Sequence, residues 1–108
     1  MNAHQAPATF TLDAEDDGRL AACGPLTFAS ARAARALGLG ALEDGTGAAL
    51  EIDCRGVNPS DSAGLAVLID WLAVARQAGR TLRYSGLPED LRALARISEI
   101  EDFLAKGV

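Results

Sequence analysis

Five consecutive residues, Asp61-Ser62-Ala63-Gly64-Leu65, do most to limit what this chain can fold into. The apolar stretch 48–54 before them predicts a strand, and a helical pattern over 66–78 follows. A strand must therefore turn into a helix within a short loop, leaving a hydroxyl at the helix mouth. Pro59 disfavours helical backbone at Asn58, so the helix cannot begin earlier. Either Asp61 or Ser62 can cap it. A lone hydroxyl there is poorly equipped for chemistry. It is well placed for a partner contact, or for a phosphate stabilised by the helix N-terminus.

The elements around this segment alternate. Residues 9–13 read as a strand, Glu15-Asp16-Asp17-Gly18 as a turn, and 19–24 as a second strand, together an antiparallel hairpin. Pro25-Leu26-Thr27 opens a helix with Thr27 as its cap, running over 28–37 and stopped by Gly38. Residues 39–47 form a loop. After the strand at 48–54, Asn58-Pro59-Ser60 is a loop, and the central helix covers 62–78 until Gly79. Residues 81–85 alternate as a fourth strand. Gly86-Leu87-Pro88 is a turn, with Pro88 at the first helical position and Glu89 and Asp90 in the first turn of a last helix. That helix presents Leu91, Leu94, Ala95 and Ser98 on one face, and 100–104 adds a final turn. The order β-β-α-β-α-β-α predicts an α/β fold, a four-stranded mixed sheet with helices mainly on one face.

The chain has 108 residues, which predicts a short tail at 1–8 and a single domain over 9–108. The start of the chain has neither a basic segment nor an apolar core, so it is not a secretory signal, and the expected compartment is the cytoplasm. Net charge is −5 and Lys106 is the only lysine. Nucleic-acid binding rests on neutralising phosphates with Lys and Arg, so this balance argues against a DNA, RNA or anionic-membrane binder. Cys23 and Cys54 share no metal-ligand spacing and read as two reduced thiols behaving as small hydrophobes.

The central helix carries more apolar surface than a sheet alone would cover. Leu65, Leu68, Ile69, Leu72 and Ala75 fall on one side, extended by Val67, Trp71, Val74 and Ala78. The arc spans roughly 220°, against the ~100° needed to cover one sheet face. Either a neighbouring helix of the same domain covers the surplus, or the Val67–Trp71–Val74 edge is a partly exposed partner surface with Trp71 as its anchor. Elsewhere the chain is poor in catalytic groups. His4, the one histidine, lies in the tail, no His/Cys/Asp group has metal spacing, and no loop has the glycine-lysine pattern that cradles phosphate. The reading is a binding module with no catalytic residue, metal or cofactor.

Residues 48–54, the following loop, and Asp61-Ser62-Ala63-Gly64-Leu65-Ala66-Val67-Leu68 resemble the STAS domain family. That family includes anti-sigma factor antagonists and the domains fused to sulfate transporters. Leu68-Ile69-Asp70-Trp71-Leu72, Ala75-Arg76-Gln77-Ala78-Gly79, Gly86-Leu87-Pro88, Leu91-Arg92-Ala93-Leu94-Ala95 and Ile100-Glu101-Asp102-Phe103-Leu104 resemble the MlaB type within it. Ser60, at a place usually apolar in the family, and the loop Gly56-Val57-Asn58-Pro59 depart from the pattern. The resemblance implies a non-catalytic subunit of a phospholipid-transporting ABC complex that maintains outer-membrane lipid asymmetry. Such a subunit is cytoplasmic, held peripherally at the inner membrane by binding the transporter's ATPase. Ser62 would be the hydroxyl that contacts the ATPase. Asp61, Ala63 and Gly64 would shape the turn, and Val67 and Trp71 would add apolar contacts. The alternative is an anti-sigma factor antagonist, with an anti-sigma kinase as partner and Ser62 as the phosphorylation site.

Overall fold

The computed structural model describes residues 9–15, 18–44, 49–98 and 104. The expected tail at 1–8, the turn residues Asp16 and Asp17, the turn 45–47 and the final turn, apart from Leu104, lie outside the described residues. Four strands and three helices follow the expected order: β1 (Thr11–Ala14), β2 (Leu20–Leu26), α1 (Ala31–Asp44), β3 (Ala49–Ser60), α2 (Ser62–Gln77), β4 (Thr81–Ser85) and α3 (Glu89–Ile97). The sheet order is β1-β2-β3-β4. β1 and β2 are antiparallel, whereas β2–β3 and β3–β4 are parallel, each parallel pair joined through a helix.

Side chains alternate across the sheet, and only one face is buried. Ala22 and Leu26 of β2, Ile52, Cys54 and Val57 of β3, and Leu82 and Tyr84 of β4 join the core beneath the helices. The cross-strand neighbours Glu51 and Arg83 lie on the other face, as does Asp53 opposite Ser85. Asp53 is itself buried, because Arg55 folds over it and donates to both carboxylate oxygens. That pairing holds the Asp53 carboxyl below its ordinary range.

Several boundaries differ from the sequence expectation. β2 does not stop at Gly24 but continues through Pro25 to Leu26, because β3 runs beside it to Ser60 and pairs Leu26 with Ser60. The same pairing makes Asn58-Pro59-Ser60 part of a strand rather than a loop. The helix after β2 then starts later, at Ala31. Thr27 is not its cap. The Ser30 hydroxyl accepts from the Thr27 amide at 3.0 Å and donates to the Pro25 carbonyl at 2.8 Å, closing a turn before the helix.

The largest difference is the length of α1. Gly38 does not end it, and the helix continues to Asp44 through most of the expected loop. Gly38 instead opens a niche for Trp71 of α2. A Cβ at Gly38 would lie 2.0 Å from the indole ring. Trp71 has no exposed surface, donates its indole N–H to the Arg35 carbonyl at 3.3 Å and meets Phe10 with ring centroids 6.2 Å apart. Val67 is also buried. α1 of the same chain therefore covers the Val67 and Trp71 part of the surplus arc, and these two are core residues rather than exposed anchors for a partner, while Val74 stays half-buried and Ala78 exposed. At the far end, Arg80 donates to the Ala41 and Leu42 carbonyls. The Tyr84 hydroxyl donates to the Leu68 carbonyl at 2.6 Å, tying β4 to α2.

α3 begins at Glu89, with Pro88 one place outside it. Its buried residues are Leu91 and Ala95; Leu94 is half-buried and Ser98 is exposed. Both cysteines are free thiols. Burial, with the nearby Asp53 charge, pushes the Cys54 thiol up to about 12.

Candidate functional site

The mouth of α2 is built on Asp61. Its backbone is extended and its carboxylate caps the helix, Oδ1 accepting from the Ala63 amide at 2.9 Å and the Gly64 amide at 3.1 Å. The second oxygen, Oδ2, accepts from the Phe28 amide at 3.1 Å. One side chain thus fastens the start of α2 to the turn that precedes α1. These backbone hydrogen bonds, led by that from Phe28, hold the Asp61 carboxyl below its ordinary range despite partial desolvation.

Gly64 makes the second fastening. It is buried, and a Cβ there would lie 2.0 Å from the Leu26 carbonyl oxygen. Only a residue without a side chain lets the first turn of α2 press so closely on the end of β2. The Asp61 amide also donates to the Leu26 carbonyl, at 3.4 Å. Asp61 and Gly64 therefore hold the helix mouth from both sides.

Ser62, the first residue of α2, is exposed, and its hydroxyl makes no hydrogen bond with another described residue. With Asp61 as cap, the serine has no structural duty at the helix start. Ala63 beside it is half-buried and Ala66, one turn on, is exposed. The structure thus brings Asp61, Ser62, Ala63 and Gly64 together at one point. Val67 is largely buried, its edge lining the groove beside Ala63 and Ala66, and Trp71 lies in the core.

Phe28 joins the site without having been singled out in the sequence. It is 84% exposed, and its amide is held by Asp61. In the sequence it stands at the head of an alanine-rich helical run and reads as a helix residue. The available signal was its size: a large aromatic leading a run of small side chains. Arg32 and Arg35 of α1 also flank the site, with Arg35 Nε paired to Asp70 Oδ2 of α2 at 2.6 Å. Among the described residues no group of three or more His, Cys, Asp or Glu side chains could hold a metal ion. No helix there is long and apolar enough to cross a membrane.

The arrangement is a ledge fastened by Asp61 and Gly64, with one free hydroxyl flanked by small side chains and one exposed aromatic ring. Such a surface can receive a partner backbone closely, and it is sensitive to added charge. A family model described as Mlab, STAS domain matches residues 10–105. No curated protein matches the chain. Among solved structures, that of the anti-sigma factor antagonist SpoIIAA in its unphosphorylated form is similar, with a TM-score of 0.59 at 13% identity, covering 85% of this chain and 83% of that one. At that identity the likeness is one of fold.

Proposed function

This chain belongs to the STAS domain family of the Mlab type, and on that premise we propose that it is a non-catalytic cytoplasmic subunit that docks on the ATPase of a phospholipid-transporting ABC complex. The observation that carries this reading is the match of the Mlab model to residues 10–105. The docking point is the ledge at the start of α2. Ser62 contacts the partner, Asp61 and Gly64 hold the ledge in place, and Ala63 permits close approach. The protein sits at the inner membrane only through that complex, which serves outer-membrane lipid asymmetry.

A second reading is supported by the exposed, unbonded Ser62 hydroxyl. An anti-sigma factor antagonist would use the same ledge, with a partner kinase phosphorylating Ser62. A phosphate there adds a charge of about −2 beside the Asp61 carboxylate and opposes docking by repulsion and desolvation.

Affinity capture with tagged wild type and Ser62→Glu, from native membranes and cytosol, separates the two. The transporter reading expects an ABC ATPase with its permease, lost in Ser62→Glu and modestly reduced in Ser62→Ala, with all variants folded. Capture of an anti-sigma kinase, with phosphate on Ser62, would replace it with the second reading. Equal capture by all three proteins would sink the docking role of Ser62.

A further inference from the structure

Along the seam of α1 and α2, starting beside Ser62, runs a shallow groove of about 590 Å³. Its apolar lining is Ala31, Ala63, Ala66 and the largely buried Val67. Its charged walls are Arg32, Arg35 and Asp70. Asp70 is already engaged by Arg35 at 2.6 Å. Arg32 is exposed and makes no hydrogen bond or ion pair with another described residue. The groove therefore holds one uncommitted positive charge on a chain whose net charge is −5.

Two physical features select an occupant. A lining of three alanines and one valine leaves room for an aliphatic side chain and loses little rotamer freedom on contact. An unpaired guanidinium at the rim favours a carboxylate, which it can grip through two donors, and it repels a cation. Residues 1–8 of this chain contain no carboxylate and do not supply that match. We infer that the groove receives an acidic segment of the protein that docks on Ser62, with a carboxylate meeting Arg32 and an adjacent aliphatic side chain seated on the apolar lining. The inference rests on the docking reading of Ser62 and adds the chemistry of the partner segment to it.

The test takes the protein whose capture Ser62→Glu abolishes and titrates it with wild type, Arg32→Glu, Arg32→Lys and Ala66→Asp at low and high salt. Arg32 and Ala66 are exposed, so thermal melts should show all four folded. Arg32→Glu should weaken binding about tenfold at low salt and less at high salt, because exposed charge pairs are screened. Arg32→Lys keeps the charge but loses the two-donor grip, so it should weaken binding, though less than Arg32→Glu, and Ala66→Asp should weaken binding by like charge and bulk. Replacing the partner's carboxylate with arginine should restore binding to Arg32→Glu. Wild-type affinity in both Arg32→Glu and Ala66→Asp would overturn the groove while leaving the Ser62 ledge standing. A Ser62-dependent partner other than an ABC ATPase, still weakened by Arg32→Glu, would uphold the groove and remove the transporter reading. Absence of any Ser62-dependent partner would overturn both.

Discussion

Asp61 satisfies three backbone amides with two oxygens, and they belong to two different elements. Its loss should therefore cost more than an ordinary cap. Asp61→Ala is expected to destabilise the fold by about 1–2 kcal/mol in urea unfolding, the upper part of the range for a lost cap. Asp61→Asn should cost less, since its single carbonyl oxygen can still cap α2 while its amide faces the Phe28 N–H without accepting. The pH dependence has a definite sign. The folded-state carboxyl titrates below its unfolded value, so its contribution is present above the unfolded value, near pH 4, and is lost as pH falls through the folded one. The acid limb of the stability curve should be shallower in Asp61→Asn than in wild type, and unchanged limbs would show that Asp61 is not held by these bonds. Sequence reasoning named Asp61 and Ser62 as rival caps. The choice between them came from the Phe28 amide, supplied by a turn that is 33 residues away in the chain.

At the scale of elements, α1 shows how a glycine can be misread. Two glycines in the run Gly38-Leu39-Gly40 look like a helix end, and locally either favours one. Gly38 faces Trp71 across the α1–α2 seam, while a Cβ on Gly40 would meet nothing within 4 Å. The two should respond oppositely to the same substitution. Gly40→Ala is expected to raise stability by about 0.5–1 kcal/mol through helix propensity. Gly38→Ala should lower it by about 1–3 kcal/mol through overpacking against the indole. Thermal denaturation of the pair is a direct check, and equal shifts would mean that the seam is looser than the structure shows. The apolar arc of α2 was legible from periodicity, and its excess over one sheet face was real. What it packs against was not legible, because the cover is a helix whose own end was hidden by those glycines. The Arg35–Asp70 pair crosses the same seam, but at half-exposed side chains it adds at most about 1 kcal/mol.

In the molecule as a whole, α1, α2 and α3 serve one face of the sheet, and the two thiols report on the two sides. Cys54 is buried under the helices, with its thiol pushed up to about 12, so it offers almost no thiolate at neutral pH. Cys23 belongs to the other face and is half-buried, its sulfur lying close over Gly56. Alkylation of the native protein followed by intact-mass spectrometry should add one label, at Cys23. A second, at Cys54, should appear only as the protein unfolds. Equal native labelling of both would contradict a closed helix-covered face. Their separation also explains why they form no disulfide: they lie on opposite sides of one sheet.

The order of strands and helices, the antiparallel hairpin and the serine at a helix mouth were determined by sequence alone. Each depends on local periodicity, turn chemistry and proline geometry, which act over a few residues. The extension of β2 to Leu26 and β3 to Ser60, the continuation of α1 past Gly38, the burial of Trp71 and Val67, and the union of Phe28 with the α2 cap were decided only in three dimensions. Each depends on a neighbour far along the chain: a strand that supplies hydrogen bonds, a ring that needs a niche, or a carboxylate that reaches a second turn. Local preference proposes where an element ends, and the partner packed against it determines whether it does.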